Sequence, residues 1–131
     1  MLKKTILLLS LVMTGATHAG VVVIGNPASP DLDASTIKKI YLGKAKSLNI
    51  NAIDLEDGQP LKNEFHSAVT NKTEAQLQAY WAKKVFTGKG QPPKTQPSAS
   101  LMKSAVANSE NSIGYIDESD VDTSVKVLLR P

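Results

Sequence analysis

The stretch Ser35-Thr36-Ile37-Lys38-Lys39-Ile40-Tyr41-Leu42-Gly43-Lys44 predicts one short helix with a defined start and end. Ser35 is the expected N-cap, because its side-chain oxygen can accept a hydrogen bond from an unpaired backbone N–H of the first turn. Gly43 can adopt the left-handed conformation that ends a helix. The apolar positions recur at spacings of three and four and therefore share one face: Ile37, Ile40 and Tyr41.

Apolar runs flank this helix on both sides. Val21–Ile24 is a continuous β-branched run, typical of a strand that is buried on both faces of a sheet. Ile50–Leu55 is a second apolar-rich run, with Ile50, Ala52 and Asp54 on one face. The order of strand, helix and strand indicates an α/β protein.

Two further helices follow the second strand. Pro60 suits the first position of one of them, where its missing N–H costs nothing. Thr73 and Gln76 fit a capping box at the start of the other, which Gly88 ends. The predicted buried stripe of the first is Leu61, Phe65, Ala68 and Val69. That of the second is Leu77, Trp81 and Val85, widened by Tyr80 and Phe86, so that Trp81 is expected to be largely buried.

The last third of the chain alternates between irregular and regular segments. Gln91–Pro97 is expected to be a surface loop or arm, because its prolines remove backbone donors. Ser98–Asn108 predicts a fourth helix with Leu101, Met102, Ala105 and Val106 inward. Ile113–Ile116 predicts a strand, Asp117–Thr123 an acidic loop, and the alternation of Val125, Val127 and Leu129 a last strand.

The first 19 residues have the features of a cleaved signal peptide. Lys3 and Lys4 are followed by a mostly apolar run from Thr5 to Met13, which is short for a membrane span. Thr17-His18-Ala19 offers small residues where a signal peptidase reads. The expected protein is therefore exported to the periplasm and soluble, with residues 20–131 forming its single domain.

Composition excludes several classes of function. Removing Lys3 and Lys4 lowers the formal net charge from +3 to +1, and no basic stripe remains that would suggest nucleic acid. The chain has no cysteine, and its acidic residues are scattered, so no metal-ligand spacing is present and no metal or cofactor is expected. His66, the one histidine after residue 19, has no evident acidic or serine partner in the sequence and is expected to be exposed or half-buried. No nucleophile and base can be paired, so the chain is not predicted to be an enzyme.

Three stretches, in order, resemble the phosphate-binding proteins of phosphate ABC transporters, and in particular short members with a single lobe. They are Ile40–Lys44, Ala79–Gly90, and Val106 followed by Ser112–Ile116. The resemblance covers the chain from about Val21 to Leu129. It implies an α/β fold that is one periplasmic-binding-protein-like lobe, a mixed sheet of about four strands flanked by about four helices.

The resemblance also implies a ligand site at the turn Asp57-Gly58. The family carries Arg-x-Asp-Gly-Ser-Gly-Thr-Thr-x-x-Phe here and holds phosphate at a helix N-terminus. This chain keeps Asp57, Gly58 and Phe65, but has Leu55 for the arginine. It also replaces the Ser-Gly-Thr-Thr run by Gln59, Pro60, Leu61 and Lys62. The implied ligand-binding residues are Asp57, Gly58, Gln59, Leu61 and Lys62.

Two functions remain open from the sequence. The chain is either a solute-binding module that holds phosphate or a related oxyanion weakly, or a periplasmic interaction or accessory protein that has lost its ligand. Binding proteins of this class close two lobes on their ligand. A single lobe therefore offers half a cleft, unless a second copy, or a membrane or periplasmic protein, supplies the rest.

Overall fold

The computed structural model describes residues 20–131, so the predicted signal peptide lies outside the described residues. Its main elements are β1 Val21–Gly25, α1 Ala34–Tyr41, β2 Asn51–Leu55, α2 Pro60–Ala68, α3 Glu74–Phe86, β3 Lys94–Gln96, α4 Ala99–Ala107, β4 Ser112–Asp117 and β5 Lys126–Leu129. Single turns of 3₁₀ helix lie at Lys46–Leu48 and Glu118–Asp120. No helix in residues 20–131 is both long enough and apolar enough to cross a bilayer.

The strands form one mixed sheet in the order β3-β2-β4-β1-β5. β2 runs parallel to β3 and β4, whereas β1 runs antiparallel to β4 and β5. The first two strands of the sequence are thus separated by β4. The predicted α/β lobe with a mixed sheet is confirmed, with five strands and four α-helices between residues 20 and 131.

The core lies on both faces of the central strands. All five residues of β1 are buried, as the β-branched run predicts. Tyr41 of α1, Phe65 of α2 and Tyr115 of β4 meet on one face of the sheet. The rings of Phe65 and Tyr115 are stacked, with centroids 3.9 Å apart and planes 3° from parallel. This aromatic cluster fixes α2 against the sheet and therefore positions the turn at which α2 begins.

The close packing of α4 explains why residue 114, in the middle of β4, is a glycine. A Cβ at this position would lie 2.5 Å from Met102 Sδ and 2.9 Å from Val106 Cγ2. Both side chains belong to α4 and are fully buried. The glycine therefore lets α4 pack directly against the backbone of β4. Leu101, expected to face inward on α4, is instead 49% exposed, because it lies off the face that covers Gly114.

The start of α1 differs from the sequence prediction. Asp33 is the N-cap, and its carboxylate accepts a hydrogen bond of 2.8 Å from the backbone N–H of Thr36. Ser35 lies inside the helix. Aspartate and serine are about equally good caps, so residue type alone did not decide between the two positions.

The proline-rich segment also differs from the prediction, because it contains the edge strand β3. Lys94–Gln96 pairs in parallel with Ile53–Leu55 of β2. An edge strand needs hydrogen-bond donors on one side only, so prolines before and after it are compatible with a short strand.

The capping box of α3 is confirmed, but its predicted buried stripe is wrong beyond Trp81. Thr73 and Gln76 exchange the two expected hydrogen bonds, and Leu77 is buried. Trp81 is partly buried, as expected, whereas Val85 is 44% and Phe86 92% exposed. The reason is that α3 packs its middle turns across the end of α1 and continues beyond it into solvent.

The side chains of Tyr80 and Trp81 contribute to that contact between α3 and α1. The Tyr80 hydroxyl donates a hydrogen bond of 2.6 Å to the carbonyl oxygen of Leu42. Gly43 has a φ of 71°, and a Cβ there would lie 3.1 Å from the Trp81 ring. Gly43 thus serves both the left-handed end of α1 and the close approach of Trp81.

Candidate functional site

A polar cleft of about 380 Å³ lies at the carboxyl end of β2, against the parallel strand β3 and the prolines that precede it. In open α/β sheets this edge is the usual place for ligands. The walls of the cleft are Leu77, Trp81, Pro92 and Pro93. Its polar lining is Asp54, Glu56, Asp57, Lys62, Gln78 and Thr95.

Asp54 is the centre of a buried hydrogen-bond network at the inner wall of the cleft. It lies on β2 and is 5% exposed. The hydroxyl of Tyr115 donates a hydrogen bond to Asp54 Oδ1, and the same hydroxyl accepts one of 3.0 Å from the backbone N–H of Leu55. Asp54 Oδ2 faces His66 Nε2 at 2.9 Å. A buried carboxylate is stable only when its oxygens are paired in this way.

The prediction for His66 is wrong. This histidine is 2% exposed and has an acidic partner, Asp54. Since a carboxylate only accepts hydrogen bonds, Nε2 carries a hydrogen. Nδ1 lies 2.9 Å from the hydroxyl oxygen of Thr70, which also lies 3.1 Å from the carbonyl oxygen of His66. The ring is thus held at both nitrogens and cannot turn.

Lys62 connects this buried network to the turn before α2. The lysine is 9% exposed. Its ammonium donates a hydrogen bond of 2.7 Å to Asp57 Oδ1 and lies 3.9 Å from Asp54 Oδ2. The hydrogen bond from Lys62 lowers the pKa of Asp57 below its ordinary value. Lys62 therefore serves two carboxylates already present in the chain.

Burial and the negative charge of Asp54 raise the pKa values of two tyrosines behind the cleft. For Tyr41 the main cause is burial, and Asp54 adds to it. For Tyr115 burial again comes first, followed by the charge of Asp54 and by the hydrogen bond to it. The Tyr41 hydroxyl donates to the carbonyl oxygen of Ile53 at 2.9 Å. Both hydroxyls thus remain protonated in the folded chain at any ordinary pH.

These two tyrosines predict a loss of stability in alkaline solution. Their pKa values are raised on folding, so the stability that they contribute is fully present below the unfolded value near 10 and decreases above it. Each of the two tyrosines should lower the free energy of unfolding by up to about 1.4 kcal/mol for every pH unit above 10.

Urea denaturation between neutral pH and pH 11.5 measures this effect, with tyrosinate absorbance as the probe of ionisation. Tyr41→Phe should reduce the slope of the unfolding free energy against pH above pH 10 by about the contribution of one tyrosine. An unfolding free energy independent of pH above 10 would show that these hydroxyls are not held protonated by the fold.

The five predicted site residues lie at the turn before α2 and in its first turn, and of the five only Asp57 and Lys62 line the cleft. Gly58 adopts a φ of 89°, and Leu61 packs against the hydrophobic core. The side chain of Gln59 donates a hydrogen bond of 2.6 Å to the carbonyl oxygen of Pro97. Among the four α-helices of residues 20–131, α2 alone has no side-chain cap at its N-terminus.

The charge at this site is predominantly negative. Three carboxylates line the cleft, and Lys62 is the one cation among the residues that line it. The carboxylates belong to Asp54, Glu56 and Asp57. The arrangement is therefore less favourable to an anion than the helix N-terminus alone would be.

Sequence reasoning missed the residues of the buried network. The available signals were a carboxylate within the apolar run of β2 and the helical spacing of Lys62, His66 and Thr70, four residues apart. Neither signal indicates which residues pair, because partners such as Tyr115 and Asp54 lie 61 residues apart in the sequence. Only the sheet order, with β4 beside β2, brings these two side chains together.

Comparisons with known proteins show the fold. No protein-family profile matches the chain, and no curated protein sequence matches it significantly. Among solved structures, it is similar to an ABC-type phosphate transport receptor from Vibrio cholerae, with a TM-score of 0.64 and 22% identity. It is also similar to a putative phosphate ABC transporter substrate-binding protein with bound phosphate from Clostridium perfringens, with a TM-score of 0.61 and 31% identity.

Both matches cover 83% of this chain but only 45% and 44% of the two solved chains. The chain thus spans less than half the length of the proteins that it resembles. This coverage fits a single-lobe relative of phosphate ABC transporter substrate-binding proteins, as the three sequence stretches predict.

Proposed function

We propose that residues 20–131 form an exported, non-enzymatic solute-binding lobe that binds phosphate or a related oxyanion weakly, at the turn where α2 begins. The likeness to the phosphate-bound structure from Clostridium perfringens is the observation that carries this proposal. In this proposal residues 1–19 are the signal peptide and the mature protein acts in the periplasm.

The start of α2 supports an anion subsite on physical grounds. The first N–H groups of a helix have no partner within the helix, and the helix dipole places a partial positive charge there. No side chain caps this end of α2, and Pro60 has no N–H. The Lys62 N–H donates a hydrogen bond of 3.0 Å to the Gln59 carbonyl oxygen, which leaves the Leu61 N–H to other acceptors. The subsite comprises the backbone from Gly58 to Leu61 together with the Lys62 ammonium, with Asp57 and Gln59 at its edge.

Weak binding follows from what surrounds this subsite. Lys62 must leave Asp57 to reach a ligand, and Gln59 must leave Pro97. Leu61 offers no hydroxyl, and Pro60 offers no N–H. Each charge-assisted or neutral hydrogen bond contributes about 0.5–3 kcal/mol, and each 1.4 kcal/mol is about tenfold in affinity. We expect a dissociation constant for phosphate in the high micromolar range or weaker.

The other half of the cleft comes from a partner in this proposal. Two lobes of this class close on a ligand like a hinge, and the present chain spans less than half of its structural neighbours. A second copy or a membrane or periplasmic protein would supply the facing surface. Phosphate affinity should rise in the presence of that partner.

Removing the competing carboxylate is expected to strengthen phosphate binding. Asp57→Asn frees the Lys62 ammonium from its ion pair and removes one negative charge from the cleft. A unit charge a few ångströms away in a surface environment changes the interaction by about 1–4 kcal/mol. The association constant for phosphate should therefore rise roughly tenfold. Isothermal titration calorimetry of the wild type and the variant measures it.

Asp122→Asn is the matched control. It also removes a carboxylate that holds a lysine, Lys103, at 2.8 Å, but on a different part of the surface. It should leave phosphate affinity unchanged. A wild-type dissociation constant of about one micromolar or below would contradict weak binding. Failure of the wild type and of Asp57→Asn to bind phosphate at all would contradict the anion subsite and favour an accessory protein without a ligand.

A further inference from the structure

Charge is strongly segregated along the chain. Residues 34–53 contain four lysines and no acidic residue, and residues 75–109 contain five lysines and no acidic residue. All twelve carboxylate side chains of the protein lie outside these two segments. The lysines are Lys38, Lys39, Lys44, Lys46, Lys83, Lys84, Lys89, Lys94 and Lys103.

The fold brings the two segments together where α1 and α3 end. The Lys46 ammonium donates a hydrogen bond of 3.3 Å to the carbonyl oxygen of Lys89. The Lys84 ammonium lies 3.4 Å from the carbonyl oxygen of Leu42. We call residues 44–48 and 83–89 the basic α3 end. Its five lysines form no ion pair with any carboxylate in residues 20–131.

The basic α3 end also exposes apolar side chains. Phe86, the last residue of α3, is 92% exposed, Val85 is 44% exposed and Leu48 is 47% exposed. Lysines near two helix C-termini offset the negative ends of the helix dipoles. That role explains the charges but not an aromatic ring held almost entirely in water.

We propose that the basic α3 end docks on an anionic phospholipid surface, with Phe86 entering the headgroup region and the lysines facing the phosphates. Cationic side chains beside exposed aromatic and aliphatic ones are typical of interfacial membrane binding. Each lysine close to an anionic surface is worth roughly a fivefold gain in affinity. This inference does not depend on the anion subsite at α2, because it uses other residues.

The composition of the surface favours a lipid over a protein partner. Protein interfaces are enriched in arginine and depleted in lysine. The basic α3 end has five lysines and no arginine. Phe86 projects into solvent at the end of a helix and is not set in a groove, since 92% of it is exposed. Such a projecting ring suits insertion among headgroups.

Binding to vesicles tests the proposal directly. The protein is recovered from the periplasmic fraction, its intact mass is recorded, and it is mixed with vesicles of phosphatidylglycerol and phosphatidylcholine or of phosphatidylcholine alone. Co-sedimentation should occur with the anionic vesicles, weaken with added salt and be absent with phosphatidylcholine. Trp81, the one tryptophan, lies on α3 near this surface and should shift its emission to shorter wavelength on binding.

Matched variants distinguish binding by this surface from a general effect of charge. All variants are prepared with the same N-terminal residue as the wild type. Lys83→Glu with Lys89→Glu should weaken binding at least tenfold, and Phe86→Ser should weaken it severalfold. Lys126→Glu with Arg130→Glu makes the same charge change at and just after β5, an edge strand of the sheet. Leu101→Ser removes another exposed apolar side chain. Both control variants should bind like the wild type.

Two results would overturn the proposal. One is the absence of wild-type binding to anionic vesicles, which would leave this surface to an acidic protein. The other is equal loss of binding in the control pair at β5, which would show attraction by net charge alone. Failure of phosphate to bind would leave the vesicle result unaffected.

Discussion

Asp54→Ala is expected to lower the free energy of unfolding by about 3–5 kcal/mol, the usual cost of removing one partner of a buried charged pair. The substitution leaves the Tyr115 hydroxyl and the His66 Nε2–H without their shared acceptor. It also removes the carboxylate 3.9 Å from the Lys62 ammonium, which keeps its hydrogen bond to Asp57. The Tyr115 and His66 side chains are at most 2% exposed, so the loss of their acceptor carries the cost of an unsatisfied buried donor. Urea denaturation at neutral pH, followed by circular dichroism, measures the difference.

Asp122→Ala is the control for Asp54→Ala. Asp122 also accepts from a lysine, but its side chain is 50% exposed, and exposed ion pairs contribute at most about 1 kcal/mol. A loss below about 1 kcal/mol for Asp54→Ala would contradict the view that this network stabilises the fold behind the cleft.

Phe65→Ala is the second large expected effect, at about 3–5 kcal/mol of unfolding free energy. Phe65 is fully buried, stacks on Tyr115 and lies 4.6 Å from Tyr41, centroid to centroid. Removing the ring leaves a cavity between α2 and the sheet that stiff aromatic neighbours cannot fill. The chain has two phenylalanines, and the other supplies an internal control.

Phe86→Ala makes the same chemical change in water. Because Phe86 is 92% exposed, its truncation should change the unfolding free energy by less than about 0.5 kcal/mol. The two variants can be compared in one urea series. Similar losses in both would show that Phe86 is buried in solution, against the structure and against its role in docking.

The elements that sequence periodicity specifies locally were predictable. The capping box at Thr73 and Gln76, Pro60 at the first position of α2 and the buried strand β1 depend on near neighbours in the chain. Each is present in the structure. Such features are set by hydrogen bonds and side-chain spacing within one or two turns.

The predictions that failed concern features that depend on contacts between distant segments of the chain. The spacing of Leu77, Trp81 and Val85 shows that they share a helix face, but not how far the neighbour extends along it. α1 ends under Trp81, so the face beyond it is exposed. Strand β3 was missed because its three residues lie among prolines, and its pairing with β2 is tertiary.

The candidate site likewise contains local features that were predictable from the sequence and tertiary pairings that were not. The turn at Asp57 and Gly58 could be placed from the family resemblance, because a helix N-terminus is a local feature. The pairing of Lys62 with Asp57, and of His66 with Asp54, could not, since it depends on how α2 sits on β2. These pairings are what make weak anion binding the expectation.

A phosphate titration of the ¹⁵N-labelled protein, followed by amide chemical shifts, tests the proposed anion subsite most directly. Sodium chloride at the same ionic strength is the reference. We expect shifts confined to Gly58, Gln59, Leu61 and Lys62, saturating only at high micromolar or millimolar phosphate. Two results would contradict an anion site at the start of α2. One is no shift at these amides at about 10 mM phosphate, and the other is saturable shifts in another part of the lobe.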